Sequence, residues 1–142
     1  MQTKPRVHPL LTSIVVGHLI VSLVHGSAHS GARIPMSLAA NLFIWIVILA
    51  GPLVGLWISR SRPPAGGWIV AATMAGSLIF GIVNHFVIAS PDHVNHVAAE
   101  WRTLFSVTAA LLVVTEAAGV AAGVWCARTV RQVTSDRLSP AS

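Results

Sequence analysis

Six of the chain's seven histidines fall in two stretches whose spacing could do chemistry. The first is His18-x6-His25-x3-His29. The second is His85 followed by Asp92, His93, His96 and Glu100. At about 100° per helical residue, His18, His25 and His29 lie within roughly 40° of one another, and Ser22 completes their stripe. His25 and His29 are one turn apart, about 6 Å along the axis, a separation that one metal ion or a close metal pair can match. If helical, His93-x2-His96-x3-Glu100 stacks three more donors on one face. The candidate metal ligands are therefore His25, His29, His85, His93, His96 and Glu100.

Imidazole with carboxylate suits zinc, iron, copper or nickel. Cys126 is the single cysteine, so no thiolate set and no intrachain disulfide is available, and four acidic residues are too few for a calcium or magnesium cage. Asp92, Asn84 and Asn95 are candidates to orient an imidazole from behind, as metal-bound histidines require. Glu116 stands in the apolar run Leu111–Gly119. A carboxylate there is costly unless neutral or partnered, so it should face other helices; His18, at comparable depth, is the expected partner, with Thr115 and Asn41 weaker ones. Glu116, Asp92 and His18 are accordingly the candidates for proton transfer or catalysis.

The elements that must position these residues are membrane helices. Apolar residues make up 54% of the 142 and charged residues 9%, against roughly a quarter charged in a soluble domain. Four apolar runs, about 9–29, 36–58, 66–90 and 102–127, are each long enough to cross a bilayer. The first follows Lys4 and Arg6 like a signal peptide, but its apolar part is long and Ser27-Ala28-His29 is a poor cleavage site, so it is expected to remain as a span. Pro52 should kink the second helix and Pro91 should stop the third. The expected fold is all-α: a single domain over residues 1–142, forming an integral membrane, antiparallel four-helix bundle, with a frayed polar tail.

Basic residues set the orientation. Lys4, Arg6, Arg60, Arg62, Arg128, Arg131 and Arg137 lie on one side of the four runs, and only Arg33 and Arg102 on the other. Both termini are then cytoplasmic in a multi-pass cell-membrane protein. His25, His29, His85, His93 and His96 gather toward the periplasm or cell exterior. Histidines at an interface can simply hydrogen-bond between helices, but five on one side of a chain so poor in polar groups point to a site. Trp57, Trp68 and Trp125 fall at the inner interface and Trp101 at the outer. The net charge of +5 comes from short pairs at the ends of apolar runs, which argues for the lipid bilayer as partner and against nucleic acid. Small-residue pairs, Ser22-x3-Gly26, Gly51-x3-Gly55, Ala72-x3-Gly76 and Gly119-x3-Gly123, would join helices within one bundle or between copies in a homo-oligomer.

The sequence has no phosphate loop, no Cys-x2-Cys, no His-Glu-x2-His and no serine elbow. Its spaced histidines resemble, in a general way, the histidine boxes of membrane metal oxygenases, which would imply metal-based oxidation, although this chain is far shorter and has fewer histidines. A metal open to substrate would serve Lewis-acid hydrolysis or oxidation of a lipophilic or periplasmic molecule. The alternatives are a haem-b electron carrier, with His25 or His29 opposite His85, and a small metal-ion or proton transporter using His18 and Glu116 as its inner relay.

Overall fold

The computed structural model describes residues 9–138, with side chains to Thr129; the arm carrying Lys4, Arg6 and His8, and residues 139–142, lie outside it. The described residues are all helix and turn, and four helices are long and apolar enough to cross a membrane. We label them α1 (Pro9–Gly31), α2 (Leu38–Ile58), α3 (Pro63–Val87) and α4 (Ala99–Leu138). The fourth runs on past the end expected near Ala127, because no glycine or proline interrupts residues 128–138.

Local chemistry sets the ends. Helix α1 closes with Ile34 N–H donating to the His29 carbonyl at 3.2 Å, while Arg33 takes a left-handed φ of 54°. This is the six-to-one cap usually built on glycine. Ser37 caps α2, its Oγ accepting from Ala40 N–H at 3.1 Å. Helix α3 opens on Pro63 and Pro64, where missing N–H groups cost nothing.

Two helices widen into π turns. In α2 the stretch Ile44–Ala50 is π-helical, immediately ahead of Pro52. Proline cannot supply the N–H that would reach the Ile48 carbonyl four residues back. His18 of α1 fills that vacancy, its Nε2 lying 3.2 Å from Ile48 O. The expected irregularity at Pro52 is thus a widened turn satisfied by a neighbouring helix. In α3, Val83–Val87 is π-helical and ends at Ile88, whose ψ of 122° is extended. The helix stops short of Pro91; Asn84 Nδ2 donates to the loosened Phe80 carbonyl at 2.8 Å.

The helices pack as a ring with one open seam. Helix α4 lies against α1 and α3, α3 also lies against α2, and α1 meets α2 mainly at the latter's Gly51–Ile58 segment and through the His18–Ile48 hydrogen bond. At the end holding Leu11 and Cys126 the contacts are close. Backbone meets backbone where Gly67 faces Gly123, and Gly119 lies under Met74. Leu11, Val15, Leu56, Val70, Met74, Ala122 and Cys126 form the core there. Gly51 abuts Thr73 and Gly55 abuts Val70, so these small residues are used between helices of one chain. Ser22 and Gly26 instead line a cavity at the histidine end.

Candidate metal centre

His25 and His29 come from consecutive turns of α1, and His85 from the π segment of α3. Their ring centroids are 4.8 Å (His25–His29), 4.9 Å (His25–His85) and 5.6 Å (His29–His85) apart. Phe105 of α4, fully buried, touches all three at centroid distances of 4.6, 4.9 and 5.1 Å. One ring nitrogen from each histidine lies within 4.8 Å of the others, the one such group of potential metal ligands among the described residues.

Hydrogen bonds fix where the lone pairs point. Thr108 Oγ1 lies 2.7 Å from its own Leu104 carbonyl, to which it donates, and 2.8 Å from His25 Nδ1. With its proton committed, the hydroxyl accepts from His25 Nδ1–H. A neutral imidazole has one N–H, so His25 Nε2 carries a bare lone pair. His85 Nδ1 faces acceptors: the Asp92 carbonyl at 3.1 Å and the Asp92 carboxylate at 3.3 Å. Its proton therefore sits on Nδ1, and in the neutral ring its Nε2 is bare as well. The two bare nitrogens stand 3.2 Å apart. Between two neutral rings that pairing is repulsive until a cation, a proton or a metal ion, lies between them. His29 repeats the pattern: its Nε2 is 3.3 Å from the same Asp92 oxygen, and its buried Nδ1 has no partner.

Asp92 reaches these rings because residues 88–98 fold back over them. Val94 N–H donates to the His85 carbonyl at 3.0 Å. Val94, Val97, Ile34, Ala32 and Trp101 pack with Ala28 and Phe105 into a small apolar cluster on the same side. Below the rings is a cavity of about 350 Å³, walled by Leu23, Ile44, Trp45, Ile48, Phe80 and Leu112. Ser77, Asn41 and Glu116 are polar groups on its surface. Glu116 is buried, and its Oε2 has no hydrogen-bond partner.

Other expected residues sit elsewhere. Residues 93–96 are turns and α4 begins only at Ala99, so His93, His96 and Glu100 do not share a helical face. His93 and His96 lie against each other at 5.2 Å between centroids. His93 Nδ1 accepts from Asn95 N–H, His96 Nδ1 donates to the Ser90 carbonyl, and Glu100 is exposed in the first turn of α4. A carboxylate there complements the helix dipole. His18 turns to Ile48 O and Ser22, and among the described residues no hydrogen bond joins it to Glu116. Asn84 is spent on Phe80 O, Asn95 is exposed, and Asn41 Nδ2 reaches the Ser37 carbonyl at 3.2 Å.

Sequence reasoning missed Thr108, Phe105 and Ser77. A threonine in an apolar helix ordinarily bonds its own preceding turn, so only its depth, level with His25, could have marked Thr108. Asp92 was expected behind an imidazole or in proton transfer, and it lies against two rings. Compared with known proteins, the chain matches no family model, no curated protein and no solved structure.

Proposed function

We propose that the protein is an integral membrane metalloprotein in which His25, His29 and His85 hold one transition-metal ion and Asp92 orients two of them from behind. The observation that carries this reading is the pair of facing Nε2 atoms 3.2 Å apart on His25 and His85. Two nitrogens at 2.0–2.1 Å from one tetrahedral ion stand about 3.3 Å apart. The widest separation in the triad, 4.8 Å, closes to that value by a side-chain rotation of about 1.5 Å. The carboxylate behind His29 and His85 is the arrangement that fixes metal-bound imidazoles.

The rest of the reading extends the sequence argument. The four helices cross the bilayer as an antiparallel bundle with cytoplasmic termini, and the distribution of arginine and lysine supports this. The triad then faces the periplasm or cell exterior. Three histidines leave a fourth position open on the cavity side, where a bound ion would act as a Lewis acid or redox centre. Glu116, across the cavity, is placed to accept or return a proton.

A bare ion is favoured over haem. His25 and His85 point at each other over 3.2 Å with Phe105 and His29 packed beside them, which leaves no slab for a macrocycle. A closed-bottomed site is favoured over transport, because Leu11, Val15, Val70 and Met74 are fully buried at the other end of the helices.

The test is metal analysis of protein purified in detergent after expression with zinc, iron, copper and nickel supplied. One ion per chain is expected, lost in His25→Ala and in His85→Ala and kept in His93→Ala. Sub-stoichiometric metal in the parent protein, or a Soret band, would overturn the assignment.

A further inference from the structure

The triad is covered on the side of the 88–98 loop and open on the flank of the helices. Over the rings, Val97 is buried and Val94, Ile34 and Trp101 close around it. Gly31 lies so near the Trp101 indole that a Cβ there would collide with it, which marks how tightly the covering is sealed. The flank is different. Helix α1 packs on α4 and on the far end of α2, while the Leu38–Ala50 half of α2 touches α1 little beyond the His18–Ile48 hydrogen bond. The cavity fills the space between them. Its walls at this seam include Leu23 and Trp45, which are 59% and 65% exposed. In a spanning helix such surface faces acyl chains. Gly26, on the α1 side of the seam, has no atom within 4 Å of where its Cβ would stand. Inside, four buried polar atoms of the lining lack hydrogen-bond partners: Glu116 Oε2, Ser77 Oγ, His29 Nδ1 and Asp92 Oδ1, the last standing 3.3 Å from the rings of His29 and His85.

We infer that the site is entered sideways from the bilayer, through the seam between α1 and α2, by a lipid-dissolved amphiphile with a single oxygen-bearing head. This rests on the metal reading only for what the head finally meets. The geometry requires the division of polarity itself. The seam and most of the cavity wall are apolar, so the body of the ligand must be apolar too. The unpartnered groups lie at the inner end, so its polar atoms arrive there. A water-soluble substrate would have to displace the packed Val97–Trp101 covering, whereas one dissolved in lipid need only pass Leu23 and Trp45. The cavity's size is that of a small-molecule site. A hydroxyl or carbonyl on a chain or ring, brought head first through the seam, would lie against Glu116 on one side and the histidines on the other.

The test uses Glu116 as the reporter and needs no metal. Protein expressed without added metal is placed in lipid nanodiscs and treated with dicyclohexylcarbodiimide, which is lipid-soluble, or with a charged, water-soluble carbodiimide. Each adds across a protonated carboxyl without a leaving group, so mass spectrometry reads the adduct on the Glu116 peptide. Labelling by the lipid-soluble reagent is expected to be at least tenfold faster. Gly26→Trp, which plugs the seam, should slow it about tenfold, and the milder Gly26→Leu should slow it less. Gly17→Trp stands nine residues away on the opposite face of α1 and should leave the rate unchanged, controlling for damage to the fold. Dodecanol should protect Glu116 at least threefold and dodecane should not. Equal labelling by both reagents, labelling by neither, indifference to Gly26→Trp, or equal protection by the alkane would each overturn lateral entry. Metal content of separately metal-loaded samples judges the metal reading on its own, since a chain that labels as expected yet binds no ion has lost only that reading.

Discussion

The two ends of the same four helices are built on opposite principles. Around Leu11 and Cys126 the helices approach until glycine carbonyls meet glycine, and the core is continuous. Around the histidines two helices widen into π turns, a cavity separates α1 from α2, and polar atoms stand buried without partners. In lipid, helices gain little from burying apolar surface and hold together by close packing and interhelical hydrogen bonds. Stability is therefore concentrated in the glycine end. That concentration is what allows the histidine end to keep unsatisfied groups and open space.

The sharpest way to break the contrast is to add one side chain to each end. A Cβ on Gly67 would lie 2.6 Å from Gly123 O and 2.9 Å from Ala127 N, where neither backbone can yield. Gly67→Leu should destabilise the protein by about 3 kcal/mol or abolish folding. Gly26→Leu, facing open space, should fall within about 0.5 kcal/mol of the parent. Unfolding in mixed detergent reads both. Equal losses would show that the histidine end is packed as tightly as the other.

A smaller effect tests the site through a residue that need not touch the ion. Asp92→Asn keeps the shape but lets only its carbonyl oxygens serve His29 and His85. Metal affinity, measured by competition with a chelator, should fall about 10- to 100-fold, with unfolding little changed. Acid should act in the same direction. Each ligating nitrogen must be free of its proton, so affinity rises with pH and falls as protons compete. Equilibrium dialysis at about pH 7.5 and about pH 5.5, either side of ordinary imidazole titration, should show the bound fraction dropping. A pH-independent fraction would remove the histidines from the ligand set.

The smallest expected effect lies at the boundary between the two ends. His18→Leu removes the donor to Ile48 O and should cost about 1 kcal/mol. In a Pro52→Ala background that cost should shrink, because the backbone regains its own N–H for the same carbonyl. Additive losses in this double-mutant cycle would mean that His18 serves some other group.

These residues also show what a sequence can hold. His25 and His29 were legible as a pair because an unbroken helix repeats every 3.6 residues. The four apolar stretches were legible from length and polarity alone. His93, His96 and Glu100 were misplaced by the same rule, since it assumes a helix where the chain makes turns between Ser90 and Ala98. His85 was located by depth, but its direction depends on the π turn at Val83–Val87, which shifts the periodicity that a helical wheel takes for granted. The pairing of Glu116 with His18 rested on depth as well. Depth fixes height and leaves azimuth free, and Ile48 O claimed the histidine.

The covering of Val94, Val97 and Trp101 sets an order in time. All three follow His85 in the chain, so the ligands are synthesised before the residues that close over them. If the helices assemble in chain order, His25, His29 and His85 come together before that covering is in place. Docking of the fourth helix then brings Phe105 against the rings and lays the 88–98 loop across them. On the metal reading, an ion captured before that step would be covered on this side, and one arriving later would have to pass the loop and the start of α4 or cross the apolar cavity. Exchange by way of the loop would be paced by how often this corner of the protein unfolds locally. Acquisition would then precede the docking of the fourth helix, and the occupancy of a mature molecule would record the metal present when it was made.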